Sequence, residues 1–350
     1  MKYNSPRLKK NNFDFLRLLF ASTVCFVHAY DLSGFTELSW LINVFSSDVA
    51  VKGFFVISGF LIFMSYERSK SLGSYTIKRI RRIYPAYFAI VMICAIGLVS
   101  VSTKSASDFF SLEWVKYVIA NLTFLNFLQP DLPGVFESNK VTAVNGALWT
   151  LKIEVMFYMA VPFFVYLFRK FSVLPVLVLF YILSVVYSEL FSALAERTGL
   201  EIYNQLARQL PGQLSYFFAG AFIFYYLNLF ERRIGYFMTA AVLILIINKF
   251  YPLPVFVPFS LATAVIFFGL YVYIGNFGKY GDFSYGVYII HFPTIQVMLT
   301  LRQFSDAPWY FLLAVVLITV LGAIAMWHIV EKRFLLRNSH YITAAASEEK

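Results

Sequence analysis

Arg17 and His28 lie in the first long apolar run of the chain, Phe13 to Tyr30, with ten residues between them. An ionisable side chain inside a membrane span is costly and marks a functional site by default. Histidine is also the side chain best suited to proton transfer near neutral pH. At about 1.5 Å per helical residue, Arg17 lies roughly 6 Å from the start of this run and His28 roughly 22 Å from it. Glu154 lies roughly 10 Å from the start of a later apolar run, near residue 147, that crosses in the opposite direction. His28 and Glu154 therefore reach a common level in a hydrocarbon core of about 30 Å. A carboxylate beside an imidazole orients it and raises its basicity, as in hydrolase triads. The competing reading is that each finds a polar neighbour only to hold helices together. His28 and Glu154 form the candidate catalytic pair.

The run Lys78-Arg79-Ile80-Arg81-Arg82-Ile83-Tyr84-Pro85 places four basic residues in five positions, ahead of a proline able to start a helix. Arginine forks bind phosphate in bidentate fashion. With Arg17 expected at the same membrane face, Arg79 and Arg82 are candidates for holding a ligand with several phosphates. A plain positive-inside anchor is the competing reading, and it holds in part whichever is right.

These residues need a membrane scaffold. Hydrophobic residues make up 60% of the 350, charged residues only 14%, and mean hydropathy is +0.70; a soluble domain carries about 25% charged residues. The expected fold is an all-α polytopic transmembrane bundle of about ten spans. They fall near 13–31, 48–66, 83–102, 147–168, 172–192, 213–230, 235–250, 255–274, 283–301 and 309–330. The apolar stretch 114–128 contains Asn121, Asn126 and Gln129 and ends at Pro130; it reads as interfacial or re-entrant. Leaving it out of the spans puts most lysines and arginines inside, with both termini cytoplasmic. The net charge of +10 then reflects cytoplasmic loops rather than nucleic acid. Residues 1–12 and 336–350 read as cytoplasmic tails around a domain at 13–335.

The apolar run after Lys9 and Lys10 lacks a small-residue cleavage site and reads as a retained span, not a signal peptide. Cys25 and Cys94 fall within spans and read as buried thiols. The four histidines lack metal-ligand spacing, no P-loop pattern occurs, and no metal is expected. His291 has either a functional or a packed, hydrogen-bonded role, while His328 and His340 lie at or beyond the end of the last span. Gly53, Ser58 and Gly59 read first as close-packing positions.

Taken in order, these stretches resemble the acyltransferase 3 family of integral-membrane enzymes that decorate bacterial surface glycans. Arg17 and His28 are similar to its Arg-x10-His signature. Phe54 through Ile62 resembles its second-span Phe-Phe-Val-Leu-Ser-Gly-Phe-Leu-Ile, and Arg79-x-x-Arg82 its Arg-x-x-Arg motif. Trp149-Thr150-Leu151 with Glu154, Phe157 and Tyr158 looks like its Trp-Ser-Leu…Glu…Phe-Tyr block. Ser284-Tyr285 through Tyr288, His291 and Pro293 matches its Ser-Tyr-x-x-Tyr-x-x-His-x-Pro block, and Glu331 follows the last span. Two departures stand out: Lys52 replaces an acidic or neutral residue, and Val155-Met156 follow Glu154 where many members have Glu-Gln.

The resemblance implies transfer of an acyl group, most often acetyl from acetyl-CoA, to a hydroxyl of a lipid-linked or exported polysaccharide at the bacterial inner membrane. It implies His28 and Glu154 in catalysis, Arg17, Arg79 and Arg82 on the donor, and Lys52, Trp149, Tyr288 and His291 on substrate. A transporter or flippase for a lipid-linked sugar has a similar hydropathy profile and stays open from composition alone.

Overall fold

The computed structural model describes residues 5–301, 304 and 306–336, and regular structure among them is helical throughout. The principal helices are α1 (Phe13–Ser33), α2 (Ser47–Glu67), α3 (Leu72–Gly97), α4 (Leu112–Leu122), α5 (Trp149–Phe171) and α6 (Val173–Thr198). They continue with α7 (Leu210–Tyr225), α8 (Ile234–Ile247), α9 (Val257–Tyr271), α10 (Ser284–Thr300) and α11 (Pro308–Met326). Residues 1–4 and the expected tail from 337 onward, with His340, lie outside the described residues.

Among the described residues, six segments are long and apolar enough to cross a membrane: Phe13–Ser33, Thr36–Glu67, Leu72–Val101, Gly146–Phe171, Val173–Thr198 and Pro308–Phe334. The other four expected spans coincide with α7 to α10, which are 16, 14, 15 and 17 residues long. At 1.5 Å per residue these reach roughly 21–26 Å, short of a 30 Å core. The 114–128 stretch forms α4, whose 11 residues are too few to cross. It is tied down by Trp114 Nε1 donating to the Ala95 carbonyl at 2.7 Å and by Tyr87 OH donating to that of Asn121 at 2.7 Å.

The chain divides into two compact units. One comprises Met1–Leu16, Val51–Thr76 and Ile153–Asn276, the other Arg17–Ala50, Ile77–Lys152 and Phe277–Lys350. In the first unit, α7 is buried along most of its length. It meets α2 so closely that a Cβ on Gly59 would fall 1.9 Å from the Phe217 carbonyl oxygen. Gly59 of the second apolar run therefore serves close packing. Phe157 of α5 stacks on Phe217 at 4.1 Å between ring centroids. Residues 5–12 are pinned to this same unit: Ser5 Oγ donates to Glu231 at 2.6 Å, and the Arg7 guanidinium lies 3.9 Å from the Tyr271 ring centroid.

Interior prolines leave a helix carbonyl four residues back without its usual donor. Pro162 frees the Tyr158 carbonyl, and Tyr75 OH supplies the missing bond at 3.0 Å in the first unit. Pro293 frees the Ile289 carbonyl, and Asn145 Nδ2 supplies it at 2.8 Å in the second. Tyr75→Phe strands a buried acceptor and is expected to cost about 1–3 kcal/mol. The thermal midpoint of detergent-solubilised protein checks this; an unchanged midpoint would show that the carbonyl needs no partner.

Candidate functional site

The second unit gathers most of the residues singled out by type and spacing. His28, on α1, keeps part of its surface open, whereas His291, on α10, is 0% exposed. His28 Nδ1 lies 2.9 Å from His291 Nε2, and His291 Nδ1 lies 3.1 Å from the Val287 carbonyl oxygen. A carbonyl only accepts, so His291 Nδ1 carries the hydrogen in that bond. With both rings neutral, His291 Nε2 then accepts from His28 Nδ1–H. The lone pair on His28 Nε2 is left available to take a proton from a hydroxyl or to attack a carbonyl carbon.

The surroundings of the pair are firmly held. Tyr288 is buried, and its hydroxyl lies 2.7 Å from Thr150 Oγ1 at the start of α5. Phe292 meets the His28 ring edge-on at 5.5 Å, and Gly146 lets the preceding chain approach Phe292; a Cβ there would lie 2.7 Å from Phe292 Cζ. Gln296, fully buried, donates to the Val141 and Ala143 carbonyls at 2.6 and 2.9 Å. The strandless segment leading into Trp149 is thus seated on α10. Trp149 is half-buried.

The arginines form a second cluster in this unit. The expectation was a helix beginning at Pro85, but α3 begins at Leu72 and holds Lys78 to Arg82 within it, with Pro85 as an interior residue. Arg17 donates from a terminal nitrogen to Asp282 Oδ2 at 3.1 Å. Arg82 donates to the same oxygen with one terminal nitrogen and to Glu331 Oε2 with the other, at 3.3 Å. One π turn, Trp327–Glu331, brings Glu331 to this position. Arg79 is half-buried on α3.

Glu154 and Lys52 belong to the first unit. Glu154 is half-buried and accepts from the Tyr158 hydroxyl one turn along α5. Lys52 Nζ lies 5.2 Å from the Tyr216 ring centroid. The partner that the structure gives His28 Nδ1 is His291, not a carboxylate. Asp282 was not anticipated. The available signal was its isolation, as the one charged residue between Lys279 and Arg302, two places before Ser284 at the head of a helix.

A family profile described as an acyltransferase domain matches residues 10–328. The chain is 28% identical over 354 residues to a protein named O-acetyl transferase from Shigella phage Sf6, covering 95% of this chain and 98% of that one. It is 29% identical over 172 residues to Nodulation protein 10 of Rhizobium leguminosarum bv. viciae, an alignment spanning 46% of each chain. No solved structure matches.

Proposed function

Because the chain belongs to the acyltransferase 3 family, we propose that this membrane-embedded acyltransferase moves an acetyl group from cytosolic acetyl-CoA to a hydroxyl of a lipid-linked or exported polysaccharide. The observation that carries this reading is the His28–His291 pair at 2.9 Å, with His28 the member that keeps exposed surface. The name of the phage relative supports acetyl as the group moved. The bacterial inner membrane, crossed about ten times with both termini cytoplasmic, is the expected setting.

In this reading, His28 Nε2 takes the proton of the acceptor hydroxyl as the oxygen attacks the thioester carbonyl. The carbon–sulfur bond breaks, and the leaving thiolate receives that proton back from His28. Transient acylation of His28 gives the same products in two steps. His291 orients His28, and Tyr288 and Trp149 act on substrate. Arg17, Arg79 and Arg82 hold the phosphates of the donor. Glu154 and Lys52 act on the acceptor side; the orienting role expected of Glu154 passes to His291.

The test is incubation of purified protein in detergent with acetyl-CoA carrying a radiolabelled acetyl group and a lipid-glycan extract of the source cells. Thiol release together with label in the glycan is expected. A flippase leaves the thioester intact, and that result would overturn the proposal. In the same assay Arg82→Ala is expected to weaken donor binding by about 1.5–3 kcal/mol, the worth of a charge-assisted contact. Arg82→Lys should recover only part of this, because an ammonium cannot form the planar fork; full recovery would reduce Arg82 to an anchor.

A further inference from the structure

Two of the three arginines assigned to the donor, Arg17 and Arg82, share one buried acid. Asp282 follows Gly281, whose φ of +124° and closeness to Trp327 suit only glycine: a Cβ there would fall 2.3 Å from the indole Nε1. Asp282 Oδ1 accepts from the Ser284 backbone N–H at 3.2 Å and from the Ser284 hydroxyl. These bonds fix the plane of the carboxylate at the head of α10. Its Oδ2 accepts from both Arg17 and Arg82, while Glu331 takes the second terminal nitrogen of Arg82. Exposure separates the partners. The acid side chains are 1% and 2% exposed, but those of Arg17 and Arg82 are 21% and 19% exposed. The exposed surface of the cluster therefore belongs to the arginine side chains, and the acids are buried.

Resting on the acetyl-CoA reading above, we propose that Asp282 is a positioning residue that aims Arg17 and Arg82 together as a two-guanidinium clamp for a phosphate group of the donor. A long arginine side chain loses much rotamer freedom when it grips an anion; one fixed carboxylate behind two arginines removes that freedom in advance. Charge alone leads to the opposite expectation. Neutralising Asp282 leaves the cluster more positive, and simple attraction would then strengthen phosphate binding.

The experiment compares thiol release from acetyl-CoA and from acetyl-pantetheine, which has the same thioester and no phosphates. It uses the full chain in detergent with the lipid-glycan extract as acceptor. In Asp282→Asn the ratio of kcat/KM for acetyl-CoA to that for acetyl-pantetheine is expected to fall about 10-fold or more, through KM, as for loss of a charge-assisted contact. Ser284→Ala, which removes only the hydroxyl that orients the carboxylate, should lower the same ratio by a smaller factor. Equal losses with both donors would make Asp282 a fold-stabilising residue only, and a raised ratio would make it a simple counter-charge; either result overturns the proposal. If Asp282→Asn does not yield folded protein, Ser284→Ala decides alone, and an unchanged ratio overturns the proposal. Failure of the acetyl-CoA reading itself shows first in the wild type, as absent thiol release or no preference for acetyl-CoA, and would remove the clamp with it.

Discussion

His28→Ala is expected to lower acetyl transfer by about 10²–10⁴-fold, the usual span for loss of a general base, while the protein remains folded in detergent. The side chain is half-buried. Its Nδ1 is occupied by His291 at 2.9 Å, which leaves Nε2 for chemistry. His291→Leu should also slow turnover, because His28 then loses the acceptor that fixes its tautomer. The double variant should be no slower than His28→Ala alone, as groups acting as one unit are non-additive. Label incorporation into glycan measures all three. Near wild-type transfer by His28→Ala, or a double variant clearly slower than His28→Ala, would break the assignment of the pair.

Gly59→Ala is expected to cost about 3 kcal/mol or more, at the upper end of overpacking losses. The added Cβ would lie 1.9 Å from the Phe217 oxygen and 2.8 Å from its carbonyl carbon. Both are backbone atoms, so no side chain can rotate away and the two helices must part. The stack of Phe157 on Phe217, at 4.1 Å, is disturbed with them. Gly235, in α8, is the matched control: a Cβ there meets nothing within 4 Å. Gly235→Ala should stabilise by about 0.5–1 kcal/mol, since alanine is the better helix former. Thermal midpoints in detergent should therefore move in opposite directions for one chemical change. Movement in the same direction would mean that the α2–α7 crossing is looser than described.

Much of this was legible beforehand. A helical membrane protein follows from 60% hydrophobic residues, and Arg17, His28, Arg82 and His291 stand out because charge and imidazole are rare at such positions. What pairs with what was not legible. His28 and His291 are 263 residues apart, and depth estimates place side chains by level without placing them around the bundle axis. Glu154 was expected at the level of His28, yet it accepts from Tyr158, four residues along its own helix. Asp282 was hidden for a different reason: a lone acid in a turn has no periodic pattern. Helix ends were not legible either, because hydropathy does not register where a helix stops inside an apolar run, as at Tyr225 and Ile247.

The bond from Asn145 to the Ile289 carbonyl also has a consequence in time. Its two ends are 144 residues apart in the chain. At about 5–20 residues per second, roughly 7–30 s separate their synthesis. During that interval the segment before Trp149 has no α10 to rest on, and its polar groups must stay in water. A nascent chain that has not yet released α10 therefore holds neither His291 nor the carbonyl that seats Asn145. The candidate site closes among the last events of biogenesis, so an incomplete chain already in the membrane is inactive by construction.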